Sequence, residues 1–333
     1  MTNEYLPFAT GASANVLTQS DYAALPARTS GFSAGVAKSP ELNKVWRQSS
    51  FMASMLAQFI ADSSGEDVLD DGNLPGLEAK LRRALGATAT APIGSMSNAR
   101  MSIPTNSATA TFTADEVVVG TALGGRSYRL GNFSQTINVA TTGAGGMDTG
   151  TPPSSGWVGI YAIYNPSTGA RALLATNATN AAAPPVYGGT NMPAGYTASG
   201  LVSVWRITGA SLLFAGFQTG NTIINAGLQA LSVTTVQATL TPIDISLAVP
   251  RNAKTAIGSI NAMATGAGLI GMAVSPSNPG FGTQTAQVQA TGVSQILNQY
   301  NIPIITTQLM YYSFNVTGGS SPAATLVVVG YTF

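Results

Sequence analysis

The stretch GWVGIYAIYN, residues 156–165, indicates the fold of most of this chain. Its Val, Ile and aromatic side chains suit the pleated, partly buried surface of a β-strand. The run ends directly in NPSTG, residues 165–169, whose Asn, Pro and Gly favour a tight turn. An apolar run that ends in turn residues predicts a strand entering a hairpin, and therefore an antiparallel sheet.

The same kind of segment recurs through residues 101–333. Two further apolar runs, two runs that alternate apolar and polar residues, and an apolar C-terminal segment all predict strands, and we expect the last to be paired inside a sheet. In that order they are EVVVG (116–120), GLVSVWRITG (200–209), IDISLAV (243–249), MYYSFNVT (310–317) and TLVVVGYTF (325–333). The predicted fold class is therefore mainly β, built from antiparallel β-sandwich-like domains.

Helical patterning is confined to the N-terminal region. The segment LNKVWRQSSFMASMLAQFIAD, residues 42–62, repeats apolar residues at heptad spacing, with Ser39 as the expected N-cap and Pro40 at the first helical position. A second helix is expected from about Leu74 to Gly86. The residues of the first helix that form the apolar seam are Leu42, Val45, Met52, Leu56 and Phe59.

Two partners for this helix seam remain open. The seam can be buried by two further copies of itself in a short three-stranded coiled coil. It can also pack on the second helix as a hairpin within one chain, through Leu74, Leu77, Leu81 and Leu85. Since the seam spans too few heptads for a stable isolated coil, the sequence does not decide between the two, and both can hold at once.

Charge divides the chain near residue 100. Of 14 Lys and Arg and 13 Asp and Glu, only six basic and four acidic residues lie beyond that point. We interpret this as a change of domain type. Residues 87–112 are expected to form a linker or an extended neck and residues 1–38 loops with small strands, with a further division near 220–235. A net charge of +1 offers no basic surface for nucleic acid.

Catalytic chemistry has few candidate residues. The chain contains no His and no Cys, which excludes His- or Cys-based nucleophilic sites and His-type metal sites. A glycosidase needs two nearby carboxyl groups, and the only acids beyond residue 100 are Asp115, Glu116, Asp148 and Asp244. We expect isolated acids, no enzyme activity, no cofactor and no metal. A pair of Asp148 and Asp244 from different subunits remains an alternative.

Two loops could be read as ligand sites. TTGAGGMDTG, residues 141–150, has the glycines of a phosphate-binding loop but lacks its Lys-Ser/Thr ending, so we interpret it as a flexible loop. SPSNPGFGTQ, residues 275–284, is too rich in Pro, Gly and Asn for a strand and contains a lone aromatic residue. That aromatic side chain is either tucked under the loop or presented to a ligand. The candidate receptor-binding residues are Asn278, Phe281 and Gln284.

Several phrases of this chain resemble tail fibre (receptor-binding) proteins of tailed bacteriophages and prophages. The resemblance covers roughly residues 3–220 and becomes weaker after about 225. The phrases are NEYLPFATGASANVLTQSDYAAL (3–25), LNKVWRQSSFMASMLAQFIAD (42–62), TFTADEVVVGTALGGRSYRL (111–130), TTGAGGMDTG (141–150), GWVGIYAIYNPSTG (156–169) and YGGTNMPAGYTASGLVSVWRITG (187–209).

This resemblance implies an elongated homotrimer located on the virion tail and assembled in the host cytoplasm. Its regions would be 1–90 for attachment to a tail or baseplate protein, 91–225 as a β-rich shaft, and 226–333 as a β-sandwich tip. The tip would bind a bacterial surface glycan or pilus. The alternatives are a polysaccharide-degrading tailspike and a purely structural tail component. We expect no secretory signal, because the start MTNEYLPFATG lacks a basic region followed by an apolar one. We expect no membrane insertion, because no apolar run reaches about 18 residues.

Overall fold

The computed structural model describes residues 1–33, 35, 36, 38–88 and 91–333. It is mainly β and antiparallel, with 46% of residues in strands and 15% in helices, which confirms the predicted fold class at this level. The chain divides into two compact units, which we call the helical unit (Met1–Thr90) and the β unit (Ala91–Phe333).

The helical unit contains four helices in its described part. The long helix begins one residue after its N-cap Lys38, so the predicted cap Ser39 is already helical, and the left-handed Gly65 (φ 83°) ends it. Two short helices lie where only loops and small strands were expected. The first is capped by Thr18, whose side chain accepts the backbone N–H of Asp21. The helices are α1 Gln19–Ala24, α2 Ala27–Ser30, α3 Ser39–Ser64 and α4 Leu74–Thr88.

Fourteen strands make up the described sheet of the β unit. They are β1 Met96–Ser97, β2 Arg100–Ile103, β3 Thr109–Gly120, β4 Ser127–Asn138, β5 Gly156–Tyr164, β6 Arg171–Asn177, β7 Ala198–Ile207, β8 Gly216–Thr219, β9 Thr222–Val233, β10 Gln237–Asp244, β11 Thr255–Ser275, β12 Gln284–Pro303, β13 Leu309–Thr317 and β14 Ser320–Thr332. Their order is β10-β13-β11-β14-β9-β8-β2-β3-β7-β5-β6, with β1 and β4 also paired to β3 and β12 paired to β11.

The predicted hairpin and the predicted terminal strand are both present. NPSTG joins β5 to β6, where the Asn165 Oδ1 atom accepts the backbone N–H of Ser167 at 3.0 Å and Gly169 takes a φ of 75°. The C-terminal strand β14 pairs with β11 on one side and β9 on the other, so it lies inside the sheet.

One apolar core joins early and late strands of the β unit in a sandwich-like fold. The rings of Trp157 on β5 and Tyr331 on β14 meet edge to face, 5.5 Å apart. The Tyr331 hydroxyl donates to the carbonyl of Val204 on β7 at 2.7 Å. The boundary expected between residues 225 and 226 falls inside β9, which is continuous across it. The division into shaft and tip stays a prediction.

Two local interpretations were wrong. Residues 91–112 are not a linker, because Met101, Ile103 and Phe112 are buried in β2 and β3. IDISLAV is a strand only up to Asp244, whose carboxylate then accepts the backbone N–H of Ser246 at 2.8 Å and turns the chain. Residues 89 and 90 of that linker, and 34 and 37 of the N-terminal loops, lie outside the described residues.

Candidate functional site

The predicted receptor-binding loop lies at the end of a long hairpin. Strands β11 and β12 pair over twenty residues, from Thr255 opposite Pro303 to Val274 opposite Gln284. The loop that joins them, which we call the Phe281 loop (residues 275–284), is held by side-chain-to-backbone bonds such as Thr283 Oγ1 to the Gly280 carbonyl at 2.7 Å. The hairpin therefore presents the loop on a regularly paired two-stranded support.

The three predicted receptor-binding residues differ in their surroundings. Phe281 is 76% exposed, so its ring is presented to solvent and is not tucked under the loop. Asn278 is also exposed. Gln284 is the first residue of β12, and its amide is engaged with Asn301: Nε2 donates to the carbonyl at 2.8 Å, and Oε1 accepts the N–H at 3.3 Å. The loop thus offers Phe281 and Asn278 for contact, while Gln284 stabilises the hairpin.

The hairpin surface next to this loop is uncharged. Residues 255–333 contain no Asp, Glu, Lys, Arg or His. Val293 and Leu297, on the same face of β12, are 65% and 75% exposed. Strand β12 pairs only with β11 among the described residues. A long, uncharged edge strand with exposed apolar residues is a surface that natural proteins normally cover.

The helix seam is divided between two environments. Its C-terminal end packs within the chain, since Ala57, Ile60 and Ala61 are buried with Val68, and Phe59, Leu77 and Leu81 pack against this cluster. Leu42 and Val45 are partly buried. Met52 and Leu56 remain 63% and 44% exposed. The C-terminal end of the seam therefore packs on α4 as a hairpin. A coiled coil between copies, through the exposed part of the seam, stays a prediction.

Asp148 has a local structural role. Its Oδ2 atom accepts hydrogen bonds from the Tyr187 hydroxyl and the Thr176 hydroxyl, both at 2.9 Å. Burial and this carboxylate raise the pKa of Tyr187 to about 12. Met147 beside it is buried, so residues 141–150 form a loop that is fastened to β6 through backbone bonds such as Asp148 N–H to the Ala175 carbonyl.

The other acids of the β unit also have partners in their own surroundings. Glu116 forms a two-pronged ion pair with Arg129, with Nη2 to Oε1 at 2.7 Å and Nε to Oε2 at 3.0 Å. This pair raises the pKa of the Arg129 guanidinium. The neighbouring Asp115 accepts a hydrogen bond from the amide of Asn98.

A second candidate site is a cleft of about 240 Å³ that the sequence did not indicate. We call it the arginine cleft. Antiparallel pairing places Arg206 on β7 directly opposite Trp157 on β5, and the turn after β10 supplies Ser246, Leu247 and Arg251. The complete lining is Ser155, Gly156, Trp157, Thr179, Asn180, Arg206, Ser246, Leu247, Arg251 and Gln308.

Both arginines of this cleft bond to neutral groups. Arg206 Nε donates to the Leu247 carbonyl at 3.0 Å, and its guanidinium carbon lies 4.8 Å from the centre of the Phe214 ring. Arg251 Nε donates to the Thr179 carbonyl at 3.3 Å. Partial burial lowers the pKa of Arg206. Among the described residues, no carboxylate forms an ion pair with either side chain.

Comparisons with known proteins add little. No protein-family model matches the chain, and no curated protein matches it. A solved structure titled "CBM4 structure and function" aligns with 34% of this chain and 70% of its own, at 14% identity and a TM-score of 0.18. A likeness this weak carries no argument about fold or function.

Two features are absent from the described residues. None of their helices combines the length and apolar character that a bilayer crossing needs. No group of three or more carboxylate side chains in that part of the chain is arranged to hold a metal ion.

Proposed function

We propose that this chain is a tail fibre protein of a tailed bacteriophage or prophage that binds a receptor on the host surface without modifying it. The single observation that carries the proposal is the long uncharged hairpin with an exposed Phe281 at its end. An aromatic face flanked by amide and hydroxyl groups is a common way to bind sugars or neutral protein surfaces. The phrases shared with tail fibres supply the biological setting.

Self-association into a homotrimer is part of this proposal. The uncharged face of β12, with Val293 and Leu297, and the exposed seam residues Met52 and Leu56 are apolar surfaces that a further copy of the chain would cover. A trimer would carry three Phe281 loops, and several weak contacts to one cell then act together.

The alternative of a polysaccharide-degrading tailspike has less support. Of the four acids in residues 101–333, Asp148 is bound by two hydroxyl groups and Glu116 by an arginine. Asp115 and Asp244 are bound by the Asn98 amide and the Ser246 backbone N–H. These contacts suit local structural roles better than a pair of acids sharing one substrate. A purely structural tail component would not need Phe281 to be exposed.

Phe281→Ala is expected to weaken adsorption of the purified protein to susceptible bacteria by about thirtyfold. The substitution removes a large exposed aromatic contact, and interface hot spots of this kind are typically worth roughly 2 kcal/mol or more. Binding of fluorescently labelled protein to cells, titrated by flow cytometry, gives the affinity directly.

Leu123→Ala is the matched control, because Leu123 is a 69% exposed apolar residue in the turn between β3 and β4. Both variants should keep the wild-type mass in light scattering, about three times 33.8 kDa. Equal adsorption by wild type and Phe281→Ala would remove the Phe281 loop from the receptor site. A monomer mass for the wild type would refute the trimer.

A further inference from the structure

The arginine cleft concentrates positive charge in a region that has few charges. Arg206 and Arg251 are two of only six basic residues beyond position 100, and both line the same cavity. The nearest acid along the chain, Asp244, is exposed, and one of its carboxylate oxygens accepts the Ser246 backbone N–H. Arg129, by contrast, has a carboxylate partner in Glu116. The charge in the cleft is therefore not neutralised by an ion pair with a described residue.

A half-buried guanidinium without a counter-ion is an unfavourable arrangement. Arg206 has lost part of its hydration, and its contacts are a neutral carbonyl oxygen and an aromatic ring. Removing a charge from water is costly unless the charge is paired and hydrogen-bonded, so an opposite charge that approaches it offsets part of that cost. Arginine stays protonated under all physiological conditions, so the site remains cationic. An anion that enters the cleft would supply the missing partner.

The remaining lining suits a small polyhydroxylated molecule. Thr179, Asn180, Ser246 and Gln308 provide hydroxyl and amide groups around the two arginines. At about 240 Å³ the cavity is below the roughly 300–1,000 Å³ of sites for drug-sized ligands, which fits a single sugar residue better than a longer segment.

Two lining residues have unusual backbone conformations. Ser155 and Gln308 both have a φ of 59°, in the left-handed region that non-glycine residues rarely adopt. Gln308 is held there because its carbonyl accepts the Ile245 N–H at 3.0 Å and its side-chain Nε2 donates to the Val249 carbonyl at 3.0 Å. Such strained residues tend to cluster at ligand sites, where the surrounding structure fixes them.

We propose that the arginine cleft binds the anionic group of an acidic sugar, with Arg206 and Arg251 contacting the oxyanion and the neighbouring hydroxyl and amide groups contacting the ring. The source of that sugar, an acidic glycan on the bacterial surface, rests on the proposed function, whereas binding of the sugar itself does not. The cleft would act in addition to the Phe281 loop. It would make adsorption to acidic glycans sensitive to salt, because two arginine charges take part.

The oxyanion has two sources in sugars, a carboxylate and a phosphate ester. Planar guanidinium groups bind both through paired N–H donors. Glucuronate, glucose 6-phosphate and glucose therefore form a set of probes that share a pyranose ring and differ in charge. Tighter binding of glucuronate than of glucose 6-phosphate assigns a carboxylate as the bound group, and the reverse assigns a phosphate ester.

The test is saturation-transfer NMR and affinity titration of the intact protein with these three probes. Wild type is expected to bind at least one anionic sugar, with glucose about tenfold weaker or undetectable. Arg251→Gln, at an exposed position, should weaken binding of the anionic sugar about tenfold, and Arg206→Gln should do so at least as strongly. Circular dichroism establishes that each variant is folded.

Arg171→Gln is the matched control. Arg171 is also exposed, makes one guanidinium-to-carbonyl bond, to Gly131 at 2.6 Å, and lies outside the cleft lining. Its replacement should leave binding unchanged. Equal binding of glucose and the anionic sugars, no binding of either anionic sugar, or equal losses in Arg171→Gln and Arg251→Gln would overturn the inference.

Cell adsorption and binding of acidic sugars together distinguish failure of this inference from failure of the proposed function. If the protein adsorbs to bacteria through Phe281 but binds no acidic sugar, the arginine cleft is not a receptor site and the tail fibre proposal stands. If acidic sugars bind through Arg206 and Arg251 but the protein adsorbs to no cell, the cleft stands and the tail fibre proposal fails.

Discussion

A chain that begins at residue 91 is expected still to bind susceptible cells and yet to be completely absent from assembled tails. The β unit has an apolar core of its own, whose buried residues run from Ala99 to Phe333. The region removed, 1–90, contains α3, the exposed helix seam and the N-terminal phrases that resemble tail fibre proteins. Under the proposed function, loss of this region should therefore remove attachment without unfolding the β unit.

The measurement has two parts on the same protein. Flow cytometry gives cell binding, and immunoblots of purified particles give incorporation when the shortened chain replaces the full one during phage growth. If trimerisation depends on the helix seam, the shortened chain will also bind less tightly through loss of multivalency, and its mass in light scattering identifies that case. Shortened chains found in tails at the wild-type level would contradict the assignment of 1–90 to attachment.

Tyr331→Ala is expected to cost about 3–5 kcal/mol of unfolding free energy, as is typical when a large buried aromatic side chain is truncated. Tyr331 is fully buried, packs edge to face on Trp157, and donates a hydrogen bond to the Val204 carbonyl. Its replacement leaves a cavity between β5, β7 and β14 and an unsatisfied carbonyl in the core.

Two further substitutions divide this loss into its parts. Tyr331→Phe keeps the ring and removes only the hydroxyl bond, so about 1–3 kcal/mol is expected. Tyr311→Ala is the matched control, since Tyr311 lies on β13 and is only partly buried. Urea titrations followed by tryptophan fluorescence give all three values. A loss for Tyr331→Ala no greater than that for Tyr311→Ala would show that the contact of β5 with β14 does not hold the β unit together.

Local chemistry made several elements predictable. The hairpin of β5 and β6 follows from an apolar run that ends in Asn-Pro-Ser-Thr-Gly, since Asn165 and Gly169 form the turn almost without help from the rest of the fold. Helix α3 follows from its apolar periodicity, and Gly65 marks its end. Strand β13 follows from strict alternation, with Met310, Tyr312 and Phe314 all buried.

Other features depend on contacts that the sequence does not express. Residues 109–112 read as the end of a polar linker because Ala and Thr predominate, yet Ala110 and Phe112 are buried in β3. The turn after Asp244 interrupts an alternating pattern that otherwise predicts a strand. The arginine cleft is assembled from five separated segments, and the one sequence signal, two arginines in a region nearly without charges, gives no hint that both line one cavity.

The surroundings of the predicted receptor-binding residues were only partly accessible to sequence reasoning. The composition of residues 275–284 correctly indicates a loop, and exposure of Phe281 agrees with presentation of its ring. The engagement of Gln284 with Asn301 was not foreseeable, because both residues lie on β12, opposite Val274 and Ile257 of β11, and they meet only where the hairpin bends back on itself.

Immuno-electron microscopy of particles from a bacterial strain that encodes this chain tests the central claim most directly. One antibody is raised against residues 1–90 and a second against residues 226–333. The account predicts that both label the tail, with the first at the junction of the fibre with the tail or baseplate and the second at the free end. Absence of both labels from tails, or the second label at the junction, would contradict the identification of this chain as a receptor-binding tail fibre.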